Sequence, residues 1–184
     1  MSGLGFIIVI IILAVIGGFI LWYFGTFNGI KTAELKVSEA LSGIDVALTK
    51  RYDVLTKMLE TVKAYKAHEF DTLTQIVNLR RGMSMNERNQ ANAAMDQLSS
   101  QITVLAENYP ELRSSANFAE LQKTIADVEE HLQAARRLYN ANVTDYNRRI
   151  VTFPSSIVAG MMGAVQKPFF EADAQKRQDV PMVF

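Results

Sequence analysis

The 184-residue chain contains no cysteine, only four prolines and a single tryptophan. The lack of cysteine excludes disulfide bonds, thiolate catalysis and cysteine-ligated metal sites. Its 19 Lys and Arg residues are balanced by 19 Asp and Glu residues, and this neutrality gives no indication of a nucleic-acid partner. Scarce proline, together with abundant Ala, Leu, Glu, Lys, Arg and Gln, favours helices.

Motifs for catalysis and metal binding are missing as well. A di-iron helical bundle needs Glu-x-x-His motifs, but Tyr65 and Val128 stand three positions before His68 and His131. His68-Glu69 lacks the second histidine of a zinc-protease helix, and the sequence has no glycine-rich phosphate loop and no Ser/His/Asp order. We therefore expect no cofactor, no metal site and no enzymatic activity.

A long apolar run, Leu4–Phe24, contains no charged residue, Asn, Gln or Pro. At about 1.5 Å per helical residue, such a run can cross a hydrocarbon core of roughly 30 Å. Trp22, Tyr23 and Phe24 close the run, and amphipathic rings concentrate at the boundary between lipid and water. The sequence therefore predicts a transmembrane anchor over residues 4–24, with the lipid bilayer as a partner.

A cleaved secretory signal is the alternative interpretation of this run. Such a signal has a basic segment before the apolar run and an A-x-A cleavage site after it, but Met1–Gly5 carries no Lys or Arg and no such site follows. We therefore expect a retained, single-pass anchor in the cell (inner) membrane. Lys31 and Lys36 follow the run, and the positive-inside rule then favours a cytoplasmic bundle.

Residues 31–166 are predicted to form a helical bundle. The first helix is expected over residues 31–81, because apolar residues recur there at steps of three and four. These residues are Val37, Leu41, Ile44, Leu48, Tyr52, Leu55, Leu59, Val62, Tyr65, Phe70, Leu73 and Val77. Residues 25–30 are assigned to a joint, since Asn28-Gly29 tolerates left-handed backbone; a helix continuous with the anchor is the alternative.

Three further helices are predicted over residues 85–106, 118–152 and 156–165. Ser84 and Glu87 form a capping box at the start of the second helix. The third helix is expected to end before Phe153-Pro154, because proline disfavours helix in the preceding residue. Residues 167–184 are predicted to be an extended tail. The predicted fold class is all-α, an N-terminal transmembrane helix followed by a long antiparallel bundle of three main helices and a short fourth segment.

A polar patch on the first helix consists of Asp45, Lys50, Arg51 and Asp53. Residues four apart on a helix are neighbours, so we interpret the patch as a solvated face with intrahelical ion pairs. A surface for a peptide or a lipid headgroup is the functional alternative.

Tyr139-Asn140 is repeated seven residues later as Tyr146-Asn147. This spacing places both tyrosines on one helical stripe, which continues to Ile150, and both asparagines on the adjacent stripe. We favour core packing, in which the buried polar atoms find hydrogen-bond partners and fix the helix register. An aromatic ligand box is the alternative.

Two pairs of small residues, Ala14 with Gly18 and Gly160 with Ala164, are each four positions apart. Small residues at this spacing allow helices to approach closely, and in a membrane they promote association. The predicted first helix is also too long to be stable without partners along its length. Both features point to a homo-oligomer.

Several motifs together resemble the LemA family of bacterial membrane proteins. They are Ile44-Asp45-Val46, Lys50-Arg51-Tyr52-Asp53, Glu60-Thr61-Val62-Lys63-Ala64-Tyr65 with His68-Glu69, Glu107-Asn108-Tyr109-Pro110-Glu111-Leu112, Asn117-Phe118-x-x-Leu121-Gln122, and Tyr139-Asn140-x-x-Val143-x-x-Tyr146-Asn147-x-x-Ile150-x-x-Phe153-Pro154. The resemblance covers nearly the whole chain after the anchor. It implies one N-terminal span, an antiparallel helical bundle and no catalytic activity. Thr56-Lys57 replaces a frequent family proline and Ala64 a glycine, and both departures favour an unbroken first helix.

Three functions follow as hypotheses. The favoured one is a membrane-anchored scaffold that assembles with copies of itself, binds other membrane proteins, or does both, without catalysis. The second is an adaptor module that senses a peptide or lipid headgroup through Lys50 and Arg51 or through the apolar segment Ile157–Val165. The third, more remote, is an enzyme whose site forms between subunits.

Overall fold

The computed structural model describes residues 3–65 and 83–170, and every regular element in them is a helix. The helices are α1 (Gly3–Tyr65), α2 (Met85–Asn108), α3 (Pro110–Arg113), α4 (Ala116–Val151) and α5 (Ser155–Met161). The predicted all-α class, with a long apolar N-terminal helix followed by a helical bundle, is confirmed. The predicted continuation of the first helix over residues 66–81 lies outside the described residues.

Helix α1 is unbroken across residues 25–30, so the predicted joint is wrong and the continuous helix is correct. Gly29 serves a close approach instead of a break. A Cβ added to Gly29 would lie 3.3 Å from Nη1 of Arg149, a contact tighter than ordinary van der Waals packing. Next to it, Ile30 is fully buried. This packing keeps Asn28 and Gly29 helical.

The N-terminal part of α1 is apolar and unburied. It is the one helix among the described residues that is long and apolar enough to cross a membrane. Its exposed large side chains are Phe6, Ile7, Ile8, Val9, Ile10, Ile11, Ile12, Leu13, Val15, Ile16, Phe19, Ile20, Leu21 and Phe24. Trp22 and Tyr23 are partly covered, by Phe19 and Phe27 among others, with ring centroids 5.6 and 6.4 Å apart. Ala14 and Gly18 are exposed.

The chain divides into two compact units, and the first consists of Met1–Glu39 and Ala141–Lys167. The buried positions of α1 and α4 in this unit are three, four or seven residues apart, which is the pattern of a single apolar face. The buried apolar residues are Ile30, Ala33 and Val37 of α1, Val143, Tyr146 and Ile150 of α4, and Val158 and Ala159 of α5. In this unit α1 and α4 are also joined by the Asn142 amide, which donates to the Lys36 carbonyl at 3.1 Å.

The second unit consists of Ala40–Asn140 and Pro168–Phe184. Its most deeply buried apolar side chains come from every helix that enters the unit. They are Ile44, Leu48, Leu55 and Val62 of α1, Met95 and Ile102 of α2, Leu112 of α3, and Phe118 and Leu132 of α4. The described residues Ile44, Leu48, Leu55 and Val62 of the apolar stripe predicted for the first helix therefore lie in this core.

The boundaries of the bundle helices depart slightly from the prediction. The capping box is present at α2, where Ser84 Oγ accepts from the Glu87 amide at 3.2 Å and the Glu87 carboxylate accepts from the Ser84 amide at 2.7 Å. Helix α4 starts two residues earlier than expected, at Ala116, because Ser115 Oγ caps it by accepting from the Phe118 amide. Of the predicted extended tail, residues 167–170 are described and are not helical.

Helix α5 ends at Met161, so the predicted helical segment 156–165 is wrong in its second half. Gly163 adopts a left-handed φ of 64° and stops the helix. The Ala164 amide donates to the Ala159 carbonyl at 3.0 Å and the Gly163 amide to the Gly160 carbonyl at 3.1 Å, which is a Schellman motif. Ala164 therefore lies outside the helix, and Gly160 with Ala164 is not a pair on one helical face.

Substitution by alanine should change the stability of the protein in opposite directions at Gly160 and at Gly163, three residues later. Gly163→Ala places a Cβ on a left-handed residue and should destabilise the protein by about 1 kcal/mol. Gly160→Ala, in open space on a helix, should stabilise it by about 0.5–1 kcal/mol. Thermal unfolding of the two variants in the same detergent measures both. A stabilising Gly163→Ala would contradict this description of the helix end.

Candidate functional site

A buried polar cluster in the second unit is centred on Arg51, whose exposed fraction is 3%. Its Nη1 donates to Asn92 Oδ1 at 2.8 Å, and its Nη2 donates to Asp96 Oδ1 at 2.5 Å and Glu129 Oε1 at 2.9 Å. The guanidinium therefore connects α1 with α2 and α4. Since charge-assisted hydrogen bonds are about twice as strong as neutral ones, this contact orients all three helices.

Asp45 makes a second connection between helices. Its two carboxylate oxygens accept from Nε and Nη2 of Arg88 at 2.6 and 2.8 Å, and Arg88 Nη1 also donates to the Met83 carbonyl. The hydrogen bond to Asp45 raises the pKa of Arg88 above its usual value. This bidentate pair attaches the start of α2 to α1.

The interpretation of the polar patch as a solvated face is wrong for Arg51, which is buried, whereas Lys50 and Asp53 are exposed. Asp45 is half exposed, but its ion partner is Arg88 of α2 and not a residue of its own helix. Arg51 follows Leu48 by three residues and precedes Leu55 by four, so it lies on the buried stripe of α1. That position was a signal in the sequence, because a charged residue on an apolar stripe is buried with partners. Lys50 and Arg51 consequently do not form one surface patch.

A cavity of about 330 Å³ opens beside this cluster, and we refer to it as the Arg51 cavity. Its charged and hydroxyl-bearing lining includes Arg51, Asp96, Ser99, Thr103, Glu129 and Arg136. The volume is near the lower end of the range of about 300–1,000 Å³ for ligand pockets. Among the residues that the structure describes, no group of three His, Asp or Glu side chains is placed to hold a metal ion.

Arg136 is a functional candidate that the sequence reasoning missed. Its guanidinium carbon lies 4.7 Å from the centre of the Phe170 ring, and burial lowers its pKa below the usual value. Within residues 3–65 and 83–170, no acceptor is within hydrogen-bond distance of its buried Nε and Nη2 atoms. Arg136 follows Leu132 by four residues, again on an apolar stripe, and Arg137 beside it is exposed.

The side chains of the repeat Tyr139-Asn140 and Tyr146-Asn147 make hydrogen bonds to backbone groups of residues 167–170. In the second unit, the Tyr139 hydroxyl donates to the Pro168 carbonyl at 2.8 Å, and burial raises the pKa of Tyr139. The Asn140 side chain donates to the Phe170 carbonyl at 3.0 Å and accepts from the Phe170 amide at 2.9 Å. One asparagine thus satisfies both backbone polar groups of one residue.

The same two-bond contact recurs in the first unit. Asn147 donates to the Lys167 carbonyl and accepts from the Lys167 amide, both at 2.9 Å. The Lys167 ammonium pairs with Glu34 at 3.2 Å and lies 5.7 Å from the centre of the buried Tyr146 ring. Hydrogen bonds from Lys31 and from Lys167 lower the pKa of Glu34 below its usual value. The buried tyrosines pack in the core, as the favoured interpretation of the repeat predicts.

The remaining motif residues lie at helix ends. Asn108 is the last residue of α2, Tyr109 is its C-cap, and Pro110 is the first residue of α3, where the missing N–H costs nothing. Phe153 and Pro154 lie between α4 and α5, joined by a cis peptide bond, and the Phe153 side chain is 81% exposed.

The fold and these contacts define a class of protein. It is a helical protein with an unburied apolar N-terminal helix, ion pairs between Arg and carboxylate side chains of different helices, and asparagine side chains that hydrogen-bond to the backbone. The chain belongs to the LemA family, whose model matches residues 40–184. It is similar to Protein LemA of Metamycoplasma hominis, with 27% identity over 180 residues that cover 95% of this chain and 82% of that protein. The family resemblance expected from the sequence is confirmed.

Proposed function

We propose that this protein is a membrane-anchored scaffold without catalytic activity. The N-terminal part of α1 crosses the bilayer, and the bundle is held at the membrane surface, where it assembles with copies of itself, binds other membrane proteins, or does both. The observation that carries this proposal is the continuity of α1: its exposed apolar segment and its buried bundle stripe belong to one unbroken helix.

Exposed apolar side chains over residues 6–24 support membrane insertion, because such a long unburied run is unfavourable in water. Ala14 and Gly18 lie on the exposed surface of that run, where small residues let two helices approach closely. Self-assembly of the proposed scaffold uses this face of the span. The Gly160 and Ala164 pair makes no contribution, since Ala164 is outside α5.

The native mass of the full-length protein in mild detergent tests self-assembly. We expect a homogeneous oligomer that Ala14→Leu with Gly18→Leu dissociates, because bulky side chains prevent close approach. Ile12→Leu with Ile16→Leu, on the same exposed run, is the matched control and should leave the oligomer intact. A monomer that also captures no membrane protein after cross-linking in cells would overturn the scaffold proposal.

The proposed location is the cell membrane, with the bundle in the cytoplasm, as Lys31 and Lys36 favour. The absence of cysteine allows a direct test of the side. A cysteine introduced at exposed Lys50 should react with an impermeant maleimide only after the cells are opened. Labelling of intact cells would place the bundle outside.

A further inference from the structure

We propose that the Arg51 cavity is a binding site for an organic carboxylate, with Arg136 as its principal ligand-binding residue. The inference goes beyond the scaffold role and depends on the bundle core alone. Nε and Nη2 form one edge of a guanidinium, and two donors on one edge match the two oxygens of a carboxylate. At Arg136 both donors of this edge are buried and lack a partner among the described residues.

The two carboxylates of the cavity are already engaged by its other cation. The cavity lining contains two cations, Arg51 and Arg136. Both of its carboxylates, Asp96 and Glu129, are hydrogen-bonded to Arg51. Arg136 is left with Phe170, whose ring face attracts a cation but accepts no in-plane N–H bond. Burying the Nε and Nη2 donors of Arg136 without an acceptor is costly, and a bound carboxylate removes that cost.

The lining also selects the kind of anion. Asp96 and Glu129 repel every additional negative charge that enters the cavity. A carboxylate adds one charge, whereas a phosphate monoester adds about 1.5–2 at neutral pH. Ser99 supplies a hydroxyl that can donate to the bound oxygens, and Leu132 offers an apolar contact for a short carbon chain. A monocarboxylate therefore fits better than a phosphate.

Titrations of the full-length, ¹⁵N-labelled protein in detergent micelles test this site. Sodium butyrate should shift the Nε–H resonance of Arg136, while inorganic phosphate and sodium chloride at the same ionic strength should not. Arg136→Gln should abolish butyrate binding, and Arg136→Lys should weaken it at least about tenfold, because lysine keeps the charge and loses the two-donor edge. Arg137→Gln removes an equal charge from the exposed neighbour and should bind normally.

A second arm of the experiment identifies the source of the carboxylate. A blocked peptide with one glutamate is titrated in parallel with butyrate. Binding of both supports an acidic side chain of a polypeptide as the natural ligand, and binding of butyrate alone supports a small free acid. Phosphate binding as tight as that of butyrate, or butyrate binding unchanged in Arg136→Lys and Arg136→Gln, would overturn the proposal.

An independent observation in the first unit points to a second contact with the bilayer. Asn142 of α4 contacts Lys36 of α1, and Arg149, seven residues later, contacts Gly29, seven residues earlier. The two helices are therefore antiparallel in constant register. Continued to the last residue of α4, this register brings Val151 level with Phe27, close to the aromatic end of the predicted span.

The segment that starts at this level is apolar, and it exposes several large side chains although Val158 and Ala159 are buried. Residues 150–166 contain no charged side chain, while Arg148, Arg149 and Lys167 flank them. Phe153, Met161 and Val165 are 81%, 71% and 68% exposed. Amphipathic segments with basic flanks lie in the headgroup region with their apolar residues about 5–10 Å deep. We infer that residues 151–165 lie in the membrane interface, an inference that depends on the proposed span.

Tryptophan quenching by lipids brominated near the headgroup tests this contact. Trp22 is the only tryptophan, so Trp22→Phe gives a background in which Phe153→Trp or Met161→Trp is the single reporter. We expect both reporters to be quenched in vesicles about as strongly as native Trp22. Leu35→Trp, an exposed position further along α1 in the same unit, is the matched control and should remain unquenched.

The outcomes separate this inference from the proposed span. Quenching of native Trp22 without quenching at Phe153→Trp and Met161→Trp would overturn the interfacial contact and leave the span intact. Absence of quenching at Trp22 itself would overturn the span and the interfacial contact together.

Discussion

Replacing Arg51 by glutamine should lower the free energy of unfolding of the bundle by about 3 kcal/mol. The substitution removes three hydrogen bonds that connect α1 with α2 and α4, and leaves Asp96 and Glu129 without their shared cation. Removing one partner of a buried ion pair costs about 3–5 kcal/mol. We expect the lower end of that range, because the Asp96 and Glu129 side chains are 22% and 44% exposed and gain hydration.

The neighbouring residue supplies the control. Lys50→Gln removes the same charge one position earlier, but Lys50 is exposed, so its effect should stay within about 0.5 kcal/mol. Unfolding by heat or denaturant, followed by circular dichroism in a common detergent, measures both variants. Equal effects of the two substitutions would mean that the Arg51 cluster does not stabilise the bundle.

Asn147→Ala should detach the segment around Lys167 from α4. The variant removes both hydrogen bonds to the Lys167 backbone and leaves its N–H and C=O without a partner side chain. At about 1 kcal/mol for each bond, the local loss is about 2 kcal/mol. The Lys167 amide should therefore exchange with solvent roughly 30-fold faster, since each 1.4 kcal/mol corresponds to a factor of ten.

Asn142→Ala is the matched control for this prediction. Asn142 lies on the same helix and makes one hydrogen bond, to the Lys36 carbonyl, at the exposed side of the unit. Its removal should leave exchange of the Lys167 amide unchanged. Hydrogen exchange followed by mass spectrometry or NMR measures both variants. If the Lys167 amide remained protected in Asn147→Ala, the segment around Lys167 would be held by other contacts.

Helix types and apolar stripes were predictable because periodicity reports which face of a helix is buried. Leu48 and Leu55 were placed on an apolar stripe from spacing alone, and they are buried. The capping box of Ser84 and Glu87 was equally local, because both partners lie within one turn.

Features that depend on contacts distant in the sequence were not predictable in the same way. Gly29 was assigned to a joint because the close approach of Arg149, 120 residues later, is invisible in the local sequence. Arg51 was placed on a solvated face, although its position on the apolar stripe indicated burial. The partners of Asn140 and Asn147 are backbone groups, which carry no side-chain signature.

Membrane insertion of α1 is the central claim, and flotation of the full-length protein with lipid vesicles after alkaline washing tests it most directly. The native protein should float, and Ile12→Arg with Ile16→Arg should remain in the soluble fraction, because each arginine at the centre of a span costs about 2.5–3.5 kcal/mol. Leu35→Arg with Val46→Arg changes exposed apolar residues of the same helix beyond the span and should float normally. Flotation of the Ile12 and Ile16 variant at the native level, or loss of the native protein from the vesicles, would contradict the account.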